Sequence, residues 1–596
     1  MRALLLALTL TSSLYAAPPT PADAERFVRD ADTQLRRLWV AQNRAEWAKQ
    51  TNITAATERA AAKAGAAAMS WITRAIKSAR RFDPLLHTLD PAVARQLKLL
   101  RLAGQPAPDS AAKAKQLAAV MTGMDAEYGK AKACVAGARC RDLGELDNLL
   151  TTSQDPKVLL EAWLGWHDAA GRTLRPMYPR FVALANEGAR AIGFADVGEM
   201  WRSGYDMPPD EFQRTIEGLW EQVRPLYEAL HCYTRRRLGE QYGAEVVSPT
   251  GPIPAHLLGN MWAQDWTALA TRLEPQPGLA RTDTTGALVE QRADAIWMVK
   301  LAERFFTSLG MEPLPSTFWE RSMLTKPAGR EVVCHASAWD VEINNDLRIK
   351  MCIKPNHSDL ITVHHELGHN YYYNHYYREP VLFQQGANDG FHEAIGDTLA
   401  LSVTPDYLRT VGLLPEGGGR DASLNQLMSS ALDKVAFLPW GLLVDKWRWD
   451  VFAGRIPPER YTEHWWALRR QYQGVVPPVA RADAGLFDPG AKYHVASNTP
   501  YARYFLATIL QFQFHRALCK AKGHTGPLHA CSIYGSAEAG KPFRELLRMG
   551  AKQPWQDALA VVTGGERAMD ATALLDYFAP LRTWLDAQNE GQACGW

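Results

Sequence analysis

Apolar residues recur at helical spacing over most of this chain and alternate at strand spacing almost nowhere. Over residues 21–79 the pattern predicts two long helices, with Phe27, Ala31, Leu35 and Leu38 on one stripe and an alanine-rich run after Ala55. A hairpin of this kind, over about residues 20–85, is suited to lie across a cleft as a lid. Further helical patterns cover residues 156–193, 209–242, 287–309, 424–452 and 501–521, with Pro and Gly clusters between them. The best strand signal is residues 332–353, where β-prone stretches flank Asn344-Asn345-Asp346, a hairpin turn. The pattern therefore predicts a mainly α protein with one small sheet. Single cores stop growing near ~300 residues, so 596 residues with 47% hydrophobic content are expected to form two lobes around a deep cleft. No internal repeat or low-complexity linker divides the chain, so the lobes are expected to belong to one domain.

Charge narrows the function little. The formal net charge is +2 and the basic residues are dispersed, which gives no nucleic-acid footprint. Residues 1–17 have the layout of a secretory signal peptide: Arg2, an apolar run, then Ala16-Ala17. The expected mature chain is 18–596, secreted or periplasmic. No other apolar run reaches the ~18 residues that span a bilayer, so no membrane anchor is expected. Export exposes the eight cysteines to oxidising conditions, and three closely spaced couples suggest local bridges. Cys334 with Cys352 would close the segment leading into residues 363–369, a loop worth roughly 3 kcal/mol in the chain-entropy model. Cys232 and Cys594 have no evident partner.

Candidate chemistry is concentrated in Val363-His364-His365-Glu366-Leu367-Gly368-His369, which contains H-E-x-x-H. On a helix the i, i+4 spacing turns His365 and His369 to one face, where they can share one ion, with Glu366 beside it. Two candidates compete for third ligand. His375 stands where H-E-x-x-H-x-x-G-x-x-H places a third histidine, but Tyr372 replaces the glycine that turns the chain back, so His375 is read as a surface residue. The other is Glu393 in Phe391-His392-Glu393-Ala394-Ile395-Gly396-Asp397, a second helix after the break at residues 386–390. Asp397, one turn on, is placed to accept a hydrogen bond from a ligand histidine. Asp389 and His392 are nearby alternatives, read as loop or surface polar groups. Two imidazoles and one carboxylate leave a fourth position for a water that zinc acidifies, the composition of a catalytic site.

These residues resemble the angiotensin-converting-enzyme family of peptidyl-dipeptidases, which release dipeptides from free C-termini. The resemblance runs almost end to end. It rests on residues 334–340 (CHASAWD), 365–369, 390–397 (GFHEAIGD), 261–264 (MWAQ) and 500–505 (PYARYF), in the family's order. It implies that His365, His369 and Glu393 bind zinc, that Glu366 is general base and then acid, and that Asp397 orients His365. It also implies that His494 and Tyr504 stabilise the oxyanion, and that Gln264, Lys492 and Tyr501 hold the substrate's terminal carboxylate. His335 and Ala336 match the strand that pairs with an extended peptide. Tyr205 and Arg503 match one of the family's two chloride sites. At the other, His167 replaces an arginine while Trp465 and Arg469 remain, so one functional chloride is expected. The family's bridges match Cys134 with Cys140, Cys334 with Cys352, and Cys519 with Cys531.

The implied function is release of C-terminal dipeptides from short peptides by zinc-activated water. The alternative is a single-residue carboxypeptidase of the same family, which has an arginine at the position of Gln264 and lacks the lysine and tyrosine. A silent peptide binder would have no need of Glu366. Residues 535–541 imitate a phosphate-binding loop, but Pro542 stands where a hydroxyl is required. No nucleic acid or obligate protein partner is expected.

Overall fold

The computed structural model describes residues 18–134, 139–279, 281–415, 422–482 and 485–596; the expected signal segment lies outside them. The chain is mainly helical. One continuous apolar core runs from Ala24 to Leu585. The first two helices, α1 (Pro21–Thr51) and α2 (Ala55–Ala79), each begin at a threonine, Thr20 or Thr54, whose hydroxyl caps the first turn. Helix Ser423–Phe452 is long and apolar enough to cross a membrane, but 72% of that window is buried inside the protein. It is therefore a core helix.

Two helical patterns are interrupted. Residues 156–193 fold as Pro156–Leu174 and Tyr178–Ala191, because Pro176 and Pro179 lack the N–H groups that would continue the ladder. Residues 287–309 break before Ala295–Ser308, where Asp294 accepts from the Trp297 amide at 2.7 Å and starts a new helix.

The hairpin forms as expected: β2 (Ser337–Asp340) pairs antiparallel with β3 (Leu347–Lys350), Ser337 opposite Lys350 and Asp340 opposite Leu347. The Asp340 carboxylate accepts the amides of Asn344, Asn345 and Asp346, which closes the turn. A second two-stranded sheet went unpredicted. Here β1 (Ile253–Pro254) runs parallel to β4 (Val475–Val476), strands too short to leave a period in sequence. The helix α1 lies against the β2–β3 turn: Arg36 donates to the Ile343 carbonyl at 2.6 Å, Arg44 grips Glu342, and Trp47 meets Trp339 edge-on at 5.8 Å.

The three expected disulfides are present, together with a fourth, Cys232–Cys594. It ties helix Pro209–Tyr242 to the segment ending at Trp596. Arg235 donates to the carbonyls of Gly251, Ala593 and Gly595. Gly474, at φ +61°, leaves room for the Trp596 ring, which a Cβ there would meet at 2.4 Å.

Candidate metal centre

His365 and His369 lie on helix His357–Tyr376, which Asn356 caps through the Asp359 amide at 2.7 Å. Asn370 of the same helix donates to the carbonyls of Trp339 and Arg348, which ties the hairpin to the ligand helix. Glu393 and Asp397 lie on helix Phe391–Leu401. The two helices touch at Gly368 and Gly396. A Cβ on Gly368 would come within 2.9 Å of the Gly396 Cα, and one on Gly396 within 2.7 Å of His365 Nδ1. Glycine at both positions is what lets the carboxylates reach the imidazoles.

Three donor atoms converge there. His365 Nε2 is 3.1 Å from His369 Nε2 and 3.6 Å from the nearer Glu393 oxygen. Two imidazole nitrogens this close, with a carboxylate oxygen beside them, suit a divalent cation, and the N₂O donor set suits zinc. His365 Nδ1 is 3.1 Å from Asp397 Oδ1, and Lys434 Nζ is 3.5 Å from the other Asp397 oxygen. Burial opposes a proton on His365, but the Asp397 and Glu393 carboxylates outweigh it and push its pKa up to about 10 in the metal-free site. Metal must therefore displace a proton. A second group, His515 with Cys519 and Cys531, has its sulfurs closed in a disulfide and offers no thiolate.

The competing ligand candidates go elsewhere. His375 stays on the helix and is partly buried, its Nδ1 2.6 Å from the Tyr371 carbonyl, so the surface reading is corrected. His392 is also partly buried, among the rings of Tyr372, Tyr373 and Tyr376. The Asp389 carboxylate meets Arg503 Nε at 3.2 Å and the Tyr205 hydroxyl.

Glu366 is 7% exposed, and its Oε2 has no partner. Burial, reinforced by Glu393 and opposed by His365 and Lys350, raises its pKa to about 7 in the metal-free protein. It lines a cavity of about 970 Å³ together with His335, Ala336 and His365. Ala336 stands one residue before β2 instead of within it. Glu393, Arg503 and Tyr504 line a second cavity of about 590 Å³.

Residues far apart in sequence meet next to Tyr504, whose ring lies 5.0 Å from that of Tyr501. Lys492 Nζ donates to Gln264 Oε1 at 2.8 Å, and the Tyr501 hydroxyl donates to the same oxygen at 3.3 Å. Lys492 sits over the Trp262 ring at 4.0 Å. His494 Nε2 is 3.4 Å from the Tyr504 hydroxyl, and burial, then Lys492, lowers the His494 pKa to about 3. His494 is therefore neutral, with one ring N–H to donate.

Sequence reasoning missed what holds this group. Asp445 and Arg448, on helix Ser423–Phe452, form an ion pair with side chains 2% and 0% exposed. Asp445 accepts the amides of Tyr501 and Ala502, both at 2.7 Å, and Arg448 donates to the His494 carbonyl at 2.9 Å. Nothing in the spacing of Asp445 and Arg448 marks them, because their partners lie about 50 residues away on two other helices.

At the position that resembles the family's second chloride site, Arg469 is fully buried and donates to Gln473 and the Trp262 carbonyl, while its Nη1 and the Trp465 indole N–H have no hydrogen-bond partner. His167 stacks on Trp163 at 3.7 Å, and burial lowers its pKa to about 3, so it is neutral.

The family model described as Angiotensin-converting enzyme, Peptidase M2, matches residues 19–596. The angiotensin-converting enzyme of Bos taurus is 45% identical over 589 residues, covering 97% of this chain and 45% of its own length. That of Sus scrofa is 46% identical over 605 residues, 99% of this chain and 46% of its own. That of Theromyzon tessulatum is 46% identical over 475 residues, 78% of this chain and 76% of its own. The chain thus spans somewhat under half the length of these mammalian relatives.

Proposed function

Because this chain belongs to the angiotensin-converting enzyme family, we propose that it is a zinc peptidyl-dipeptidase that removes dipeptides from the free C-termini of oligopeptides. The observation that carries this reading is the convergence of Gln264, Lys492 and Tyr501 on one point, where Gln264 Oε1 takes the acceptor role that a peptide carboxylate would fill. Glutamine at position 264 disfavours the single-residue carboxypeptidase. Four disulfides support an exported protein, secreted or periplasmic.

His365, His369 and Glu393 would hold the zinc, which when bound supplies a Lewis acid for the scissile carbonyl and the attacking water. The clamp fixes the C-terminal carboxylate, and the backbone at Ala336 aligns the extended peptide in the cavity. Glu366 takes a proton from the attacking water. As negative charge develops on the carbonyl oxygen, His494 and Tyr504 donate hydrogen bonds to it. Glu366 then passes its proton to the leaving amine, freeing a C-terminal dipeptide. The helical hairpin of α1 and α2, anchored on the β2–β3 turn, is suited to exclude folded proteins.

Mass spectrometry of products from a blocked hexapeptide with a free C-terminus tests this reading. Stepwise loss of dipeptides, stopped by a chelator and restored by zinc, is expected; loss of single residues selects the carboxypeptidase instead.

The clamp carries a pH signature. Burial lowers the Lys492 pKa to about 7, opposed only by Asp147. The ammonium is present below that value and lost as pH rises through it, whereas a bound carboxylate favours the charged form. KM for a free C-terminal peptide is therefore expected to climb above about pH 7, approaching tenfold per unit, with kcat much less affected. Lys492→Met should raise KM at low pH and flatten the climb. A KM that stays level in the wild type from pH 7 to 9 would remove Lys492 from the clamp.

Chloride at Tyr205 and Arg503 meets a resident competitor, because Asp389 already neutralises Arg503. Hydrolysis is therefore expected to respond weakly to chloride at this site, and Asp389→Asn to acquire activation by NaCl that sodium gluconate does not reproduce. Equal responses in the two proteins would show that Asp389 does not stand in for the anion.

A further inference from the structure

Each imidazole that binds a metal through one nitrogen needs a partner for the other, since that partner fixes the ring's orientation and tautomer. His365 has Asp397 in this role. No counterpart for His369 is legible in the sequence, where His392 reads as a loop or surface polar group. The structure places His392 Nδ1 3.3 Å from His369 Nδ1, and His392 Nε2 2.7 Å from the Tyr376 hydroxyl. We propose that His392, steadied by Tyr376, is the positioning residue for His369, an assignment that rests on the zinc reading above.

The proton count admits one arrangement in which His369 binds metal. Its Nε2 faces His365 Nε2 and must present a lone pair there, so its proton sits on Nδ1. That N–H points at His392 Nδ1, which must then be an acceptor. The remaining His392 proton lies on Nε2 and is donated to the Tyr376 oxygen. Every ring nitrogen of the two histidines then has one defined role. A partner nitrogen carrying its own hydrogen toward His369 would set two N–H groups against each other and turn the ligand ring away.

Packing holds His392 in this pose. Its ring lies 4.5 Å from Tyr372, 5.1 Å from Tyr373 and 5.4 Å from His369, all on the ligand helix. His392 immediately precedes the ligand Glu393, so the second helix contributes one ligand and the supports of both histidines, His392 for His369 and Asp397 for His365. The two supports differ in kind: Asp397 is a carboxylate paired with Lys434, while His392 is an acceptor without charge. The site thereby gains a second orienting contact without a further negative charge beside the zinc.

The test is zinc affinity of the full chain, measured by competition with a fluorescent chelator, with thermal unfolding of the metal-free protein as the control for folding. His392→Phe keeps a ring in the aromatic cage and removes the acceptor; its zinc affinity is expected to fall about 10- to 100-fold, with unfolding of the metal-free form little changed. His392→Asn returns an acceptor oxygen near the Nδ1 position and is expected to recover most of the loss. Tyr376→Phe frees the far nitrogen and is expected to lose less than His392→Phe; it carries the test should His392→Phe fail to fold. Wild-type affinity in His392→Phe, an equal loss in the Phe and Asn variants, or, where only the tyrosine variant folds, wild-type affinity in Tyr376→Phe overturns the proposal. Failure of the wild-type chain to bind zinc would instead sink the underlying zinc assignment.

Discussion

Glu366→Gln is expected to leave a folded, zinc-loaded protein whose kcat/KM for a blocked hexapeptide is lower by about 10³- to 10⁴-fold. The size follows from the double role given to one carboxylate. Glutamine keeps the shape and one acceptor oxygen but neither takes the proton from the attacking water nor returns it to the amine. The neighbourhood offers no substitute: Glu366 Oε2 is buried without a partner, Glu393 is committed to the metal position and Asp397 to His365. Peptide affinity should change little, because Gln264, Lys492 and Tyr501 are untouched. The wild type should lose activity as pH falls through the acidic limb of its profile, since the base must be ionised. Burial raises the Glu366 pKa to about 7 without metal, and a bound cation lowers it, so that limb is expected below 7 in the zinc-loaded enzyme. Stopped-flow kinetics with zinc content measured on the same sample checks both parts. A Glu366→Gln variant within tenfold of wild type at full zinc occupancy would exclude Glu366 as the base.

How legible this site was depended on how far apart its parts lie in sequence. His365, Glu366 and His369 declare themselves through one helical turn, and Glu393 with Asp397 through another, because both units are local and the α-helix fixes their geometry. The clamp is different. Gln264 and Lys492 lie 228 residues apart, and no periodicity links them; the family resemblance alone singled them out. Asp445 and Arg448 escaped, and His392 was legible only as an alternative ligand, because their contacts run across helices. The same applies to Cys232–Cys594, whose partners are separated by 362 residues, while the three short-range bridges were legible. In the fold, the long helices were readable from the apolar stripe. The breaks at Pro176 and Asp294 were not, because the stripe resumes in phase after each. The parallel β1–β4 pair depends on Gly474 and its neighbours meeting helix Pro209–Tyr242, information that two-residue strands do not carry.

Asp445→Ala is expected to destabilise the protein by about 3–5 kcal/mol, because it strands the Arg448 guanidinium, 0% exposed, without its counter-ion. The same change removes the acceptor for two amides at the start of helix Ala502–Ala521, which has no capping side chain of its own. Tyr501 of the clamp and Tyr504 of the oxyanion pair both lie at that helix end, and Arg448 holds the His494 carbonyl. In the proposed mechanism, one buried pair thus sets the position of both the carboxylate clamp and the oxyanion pair. A purely structural role would lower the denaturation midpoint and leave the kinetics of the surviving folded fraction alone. The geometry predicts more: KM raised through Tyr501 and kcat lowered through His494 and Tyr504, with zinc affinity unchanged because the ligands stand on other helices. Asp445→Asn keeps an acceptor but loses the charge, and is expected to lie between wild type and Asp445→Ala in every one of these measurements. Chemical denaturation, steady-state kinetics at a temperature where the variants remain folded, and chelator competition separate the outcomes. Lowered stability with wild-type kcat and KM would reduce Asp445 to a core ion pair. Lowered zinc affinity would instead mean that the strain reaches the ligand helices through the contact between Phe391–Leu401 and Ala502–Ala521 where Thr398 donates to the Gln511 carbonyl.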